Sequence, residues 1–207
     1  MMPTVNDEAL ELAAYHEAGH AVAQAFFGYV LRGAQISEDG SGVAHGSGRP
    51  VSVVDLRQVL AFASMLLAGV AAEGCVLGYD GESLLACSGA YDNTHVEAVF
   101  AEYLAMQRMI EAALLRAPQD MRDPKGYARV PTESELWAAA WHVTYKCVSR
   151  HWDCIERIAV ALLQKRELSG YEVAVLIGRD ISAGVDCAHR TAEALSRVLL
   201  TPWQVPA

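Results

Sequence analysis

Apolar positions recur at helical spacing through most of the chain, and the breaks between those runs set out its elements. Residues 7 to 27 are rich in Ala, Leu and Glu and contain no Pro, which predicts a helix. Asn6 or Thr4 serves as its N-cap, Asp7 and Glu8 suit its first turn, and Gly28 can end it. Tyr29 to Ile36 is β-branched and aromatic. It is followed by the turn-forming run Ser37-Glu38-Asp39-Gly40-Ser41-Gly42 and then Val43-Ala44-His45, the pattern of a short hairpin. A long apolar helix opens at Pro50 or Ser52 and runs to about Leu77, where Gly78 stops it. Residues 79–90 read as a loop. A third helix begins near Asp92 and continues to Arg116. Residues 117–130 hold Pro118, Pro124, Gly126 and several charges, and mark a loop or lobe boundary. The capping box Thr132-Glu133-Ser134-Glu135 starts a helical stretch through about Arg166, bent near His151-Trp152. A second box, Ser169-Gly170-Tyr171-Glu172, starts a short helix ending near Gly178. A last helix spans about Val185 to Leu200. The expected fold is mainly α with a small β hairpin or sheet, one domain over residues 1–207. Residues 1–116 form its core with the hairpin, and 132–207 a C-terminal helical lobe.

Composition narrows the setting. The chain has 207 residues, is 53% hydrophobic and 20% charged, and carries a net charge of −9. That allows a sizeable core and disfavours a nucleic-acid partner or a basic membrane-binding surface. The apolar stretch Val59 to Ala72 is broken by Ser64 and Gly69 and closed by Glu73. It is shorter than the roughly 20 residues a bilayer requires, so it reads as a buried core helix and no membrane span is expected. The acidic N-terminal segment does not resemble a signal peptide. The five cysteines (Cys75, Cys87, Cys147, Cys154, Cys187) are odd in number and scattered without a C-x-x-C, which fits a reducing, cytoplasmic setting. No phosphate-binding G-x-x-x-x-G-K-[ST] occurs.

The chemistry is concentrated at His16-Glu17-Ala18-Gly19-His20, an H-E-x-x-H pattern inside the first helix. Side chains four apart on a helix share a face, so both imidazoles can reach one metal ion. Zinc acidifies water, and Glu17 is near enough to take the proton as that water attacks a carbonyl. Gly19 removes a side chain between the histidines and is expected to leave room beside the metal. The competing reading is an accidental match in an ordinary helix, because only three positions of the pattern are fixed.

Three segments resemble the peptidase domain of the FtsH family, the membrane-anchored AAA+ zinc proteases. They are Ala14-Tyr15-His16-Glu17-Ala18-Gly19-His20-Ala21-Val22; Leu66-Leu67-Ala68-Gly69-Val70-Ala71-Ala72-Glu73 with the later Ser88-Gly89-Ala90; and Ile158 to Leu163 with Leu168-Ser169-Gly170-Tyr171-Glu172-Val173. Together they cover most of residues 10 to 178 in the family's order. The resemblance implies a helical, zincin-like zinc metallopeptidase domain with His16 and His20 as ligands and Glu17 as general base. It also implies an aspartate as third ligand, just after the Ser-Gly-Ala turn. The family has Asn then Asp there, whereas this chain has Asp92 then Asn93. Asp92 is favoured because Val96, Val99 and Phe100 follow it on one helix face. An N-cap role for Asp92 competes, and His95 and Glu73 are the substitute ligands.

Other histidines are weaker candidates. His45 lies in the hairpin, while His142, His151 and His189 sit in Ala-rich or Trp-flanked helices as packed or exposed side chains. Cys147 and Cys154, seven apart, suggest a buried helix stripe. The implied activity is hydrolysis of unfolded polypeptide, held by strand addition along Val30 to Ile36 or Val43 to His45. The family's anchor and ATPase module have no counterpart here, so the partners left open are a separate ATPase or further copies of the chain. Two other readings stand: a zinc-binding or regulatory protein that kept the fold without turnover, and a helical interaction module.

Overall fold

Long runs of Ala, Leu and Val without proline favour helices, and such helices dominate the computed structural model, which describes residues 5–46, 52–78, 90–116 and 130–178. In chain order the elements are α1 (Val5–Phe27), β1 (Leu31–Ile36), β2 (Gly42–Gly46), α2 (Leu56–Leu77), α3 (Ala90–Arg116), α4 (Glu133–Arg150), α5 (Trp152–Lys165), β3 (Glu167–Ser169) and α6 (Gly170–Ile177). The class is mainly α with one small antiparallel sheet.

Helix α2 is the centre. Asp55 caps its start by accepting from the Arg57 N–H, and Gly78 closes it in the left-handed conformation at φ 71°. Val59, Leu60, Leu67, Val70 and Ala71 are fully buried where α2 packs against α1, α3 and α4. The helix starts at Leu56, later than the expected Pro50 or Ser52. It is nonetheless 22 residues long, and its apolar window outruns the stretch Val59 to Ala72, with mean hydropathy 2.0. Length and composition alone would therefore let it cross a bilayer, but 83% of that apolar window is covered by the protein itself. The buried Ser64 hydroxyl is satisfied across the α2–α4 contact, and the buried Thr144 hydroxyl within α4. Ser64 Oγ donates to the Ala140 carbonyl at 3.2 Å, and Thr144 Oγ1 lies 2.7 Å from the same oxygen.

The sheet has the order β2-β1-β3. β1 pairs antiparallel with β2 (Ala34 opposite Ala44) and with β3 (Ala34 opposite Leu168). The third strand was not foreseen. The sequence led from the predicted helix ending near Arg166 directly to the Ser169 capping box. Arg166 instead takes a left-handed conformation at φ 66°, and the next residues extend alongside β1. Both capping boxes form as expected, at Thr132–Glu135 and Ser169–Glu172. The predicted bend at His151-Trp152 is a full break between α4 and α5. Cys147 and Cys154 thus lie on different helices rather than on one stripe, with Cys154 buried and Cys147 half-buried. Leu136, Ile155, Ile158 and Leu162 from α4 and α5 join Ala14, Val22 and Phe100 in one hydrophobic cluster. The final predicted helix, Val185 to Leu200, lies outside the described residues, as do His189, Cys87 and Cys187.

Candidate metal centre

The site is made by the crossing of α1 over α2. His16 faces Glu73 and His20 faces Met65, so α2 numbers fall as α1 numbers rise and the helices run antiparallel. The crossing is close because it is lined by small residues. A Cβ on Gly19 would collide with the Ala68 carbonyl, and one on Gly69 would come within 2.6 Å of Nε2 of both His16 and His20. This corrects the role expected of Gly19. Gly19 brings the helices together, and Gly69 on α2 is the residue that leaves space beneath the imidazoles.

Helix α3 closes the group. It begins at Ala90, so Asp92 lies in its first turn rather than at the N-cap. Its Oδ2 is 3.3 Å from His16 Nε2 and 3.4 Å from His20 Nε2. The two Nε2 atoms are 2.9 Å apart, and the ligand atoms of His16, His20 and Asp92 all lie within 4.8 Å of one another. The far side of each ring is also engaged. His16 Nδ1 is 2.9 Å from Glu73 Oε1, and His20 Nδ1 is 2.9 Å from the Met65 carbonyl oxygen. A carbonyl can only accept, so His20 carries a proton on Nδ1, and whenever the ring is neutral its Nε2 offers a lone pair. The same logic applies to His16 against the Glu73 carboxylate. Two lone pairs and a carboxylate oxygen at this separation repel one another unless a cation or a proton lies among them. Two imidazole nitrogens and one carboxylate oxygen, backed by outer hydrogen bonds that fix the rings, form a donor set suited to a divalent metal such as zinc.

The electrostatics follow from the same contacts. Burial pulls the His16 pKa down, but hydrogen bonds to Asp92 and Glu73 outweigh it and push it up to about 10. In the metal-free chain a proton on His16 thus relieves the crowding. Burial alone would raise Asp92, yet hydrogen bonds from His16 and His20 hold it well below the usual carboxylate range. Glu17 is shifted upward, mainly by burial, against the lowering pull of the two histidines and the Ala44 backbone N–H. Its Oε2 is buried without a hydrogen-bond partner. A carboxylate with a raised pKa and one unengaged oxygen is suited to take up a proton.

The remaining candidates take other places. Glu73 sits behind His16 and orients it. Asn93 Nδ2 bonds Glu97 Oε1 at 3.1 Å. His95 Nδ1 is 2.9 Å from the Tyr91 carbonyl oxygen; the ring lines the cleft and lies outside the three-residue group. His45 is exposed on β2, His142 is exposed on α4, and His151 stacks on Phe26. The sequence reading passed over Gln24, which is buried in the cleft wall. Its spacing of four from His20 and seven from Glu17 would have placed it on the same helix face.

The group opens into a cleft of about 900 Å³ bordered by α1, β2, α2 and the start of α3. No protein-family model matches the chain, and no curated protein matches it at a significant level.

Proposed function

We propose that the chain is a zinc-dependent metallopeptidase that hydrolyses peptide bonds in unfolded polypeptides or peptides. His16, His20 and Asp92 hold the metal in this reading, and Glu17 is the general base. The observation that carries it is the convergence of two imidazole Nε2 atoms and a carboxylate oxygen beside the unpartnered Glu17 Oε2, all in one cleft. The three segments that resemble the FtsH-type peptidase domain supply the same assignment independently of the geometry.

Bound zinc supplies polarisation of a carbonyl and acidification of water. The chain's own residues do the rest. Glu17 accepts a proton at Oε2 and returns it to the nitrogen of the departing amine. Glu73 and the Met65 carbonyl keep both imidazoles turned with Nε2 inward. On α1 the cleft runs from Ala9 to Gln24, about 22 Å at the helical rise, room for roughly six residues of extended chain. Its walls hold no Lys or Arg among the described residues, so nothing there would capture a terminal carboxylate, which favours cleavage within a chain. Of the two strands considered for substrate pairing, β1 is bonded on both sides, leaving the outer edge of β2. Such a groove suits substrate that is already extended, and a separate ATPase would extend its reach to folded proteins. An odd number of scattered cysteines with no C-x-x-C suits a reducing cytoplasm.

Replacing Glu17 by Gln tests the reading. The variant keeps size and hydrogen bonding and should retain its zinc. It should lose at least about 100-fold in hydrolysis of a casein-like unfolded chain without ATP. Equal inertness of wild type and variant on varied unfolded substrates would sink the peptidase reading and leave a non-catalytic zinc protein.

A further inference from the structure

Glu17 is also held by strand β2. The Ala44 backbone N–H donates to its carboxylate, and the Ala44 carbonyl accepts from Gln24 Nε2 at 3.3 Å. Both polar groups of one β2 residue are therefore bound by side chains of α1, two helical turns apart. Gln24 is only 5% exposed, as is Glu17. The β2 residues on either side of Ala44 in the pleat are glycines, and the fit depends on both. A Cβ on Gly42 would come within 2.6 Å of Glu17 Cγ, and one on Gly46 would overlap Gln24 Oε1. The bond to the Ala44 carbonyl also fixes the amide, since only its nitrogen can donate there. Gln24 makes no hydrogen bond to His16, His20 or Asp92, its amide nitrogen being bonded to Ala44 instead, so metal binding does not explain a buried glutamine at this position.

We propose that Gln24 is a positioning residue for Glu17, acting through the backbone of Ala44. By holding the Ala44 carbonyl it pins β2 against α1. The Ala44 N–H then engages the carboxylate while Oε2 stays without a hydrogen-bond partner in the cleft shared with His16, His20 and Asp92. The arrangement also occupies Ala44 on the strand edge considered above for substrate, so an incoming chain would pair around Ala44 rather than with it. The proposal rests on the peptidase reading for the role of Glu17, but the clamp itself is a property of the fold.

The test has two arms, using Gln24→Met, which keeps length and loses the donor, and Gly46→Ala, which pushes the amide from the strand side. In the first arm, hydrogen exchange is followed at the Ala44 amide. The clamp predicts exchange at least about 10-fold faster in both variants, with the amides of the β1–β3 pairing keeping their rates. In the second arm, zinc-loaded proteins are assayed on the unfolded substrate. Zinc content should match wild type, kcat should fall about 10-fold with KM little changed, and the loss should vanish in a Glu17→Gln background. Unchanged exchange at Ala44 in both variants overturns the clamp. A kcat loss that adds in full to that of Glu17→Gln overturns the link to the base. If wild type hydrolyses nothing, the peptidase reading falls and the exchange arm still decides the clamp.

Discussion

The α1–α2 crossing and the α4–α6 end of the molecule are built on opposite principles. The crossing brings small residues into near-contact, Gly19 on Ala68 and Gly69 under two imidazoles, and then buries Glu17, His20, Gln24, Glu73 and Asp92 beside them. The α4–α6 end is conventional: capping boxes start α4 and α6, and Leu136, Ile155, Ile158 and Leu162 fill a continuous apolar interior. Burying unneutralised charge costs free energy, whereas burying leucine gains it. The first region therefore gives up stability for a group that could hold a cation, and the second offsets it. Damage to the two regions should accordingly separate into loss of metal and loss of fold.

The largest stability effect should come from the conventional end. Leu162→Ala removes a fully buried side chain and should cost about 3 kcal/mol by chemical denaturation. The zinc affinity of the molecules that remain folded should not change. Glu73→Ala should do the reverse. It strips His16 Nδ1 of its partner and should weaken zinc binding about 10- to 100-fold in a competition titration. A Glu73→Ala protein with wild-type affinity would show that the ring is oriented by something else.

The smallest effect concerns acid stability. The Lys165 hydrogen bond and the Ser169 backbone and hydroxyl lower the pKa of Glu172 from 4.5 to about 2. A depressed folded-state pKa gives stability that is complete above pH 4.5 and is lost as the pH falls toward 2. Glu172→Gln lacks this contribution, so its denaturation midpoint should lie slightly below wild type near neutrality. The gap should close between pH 4.5 and 2. A constant gap would mean that the side chain acts through packing alone.

The same contrast explains what was legible in the sequence. Local signals carried the α4–α6 end: two capping boxes, a glycine stop and a break at His151 are decided within a few residues of chain. The pairing of His16 with His20 was equally local, because helical spacing fixes it. What escaped were contacts between distant segments. The roles of Gly19 and Gly69 depend on how two helices cross, and a glycine in one helix does not announce which neighbour it admits. β3 arose because Arg166 turned left-handed and its neighbours found β1. Glu73, considered as a ligand, lies behind His16 because the antiparallel crossing puts it there. Asp92 could be favoured over Asn93 and His95 by the apolar spacing of its helix, but its approach to the histidines depends on where α3 docks. Gln24 had the right helical register and no recognisable motif around it.

Metal analysis of purified protein, prepared without chelator, tests the central claim most directly. Wild type, the His16→Ala, His20→Ala double variant and Asp92→Ala would be compared by inductively coupled plasma mass spectrometry. The account predicts about one zinc per wild-type chain and loss of tight binding in both variants, with the helical circular dichroism retained, because a three-residue site does not survive the loss of a ligand. Stoichiometric zinc in the double variant, or full zinc in Asp92→Ala, would contradict it.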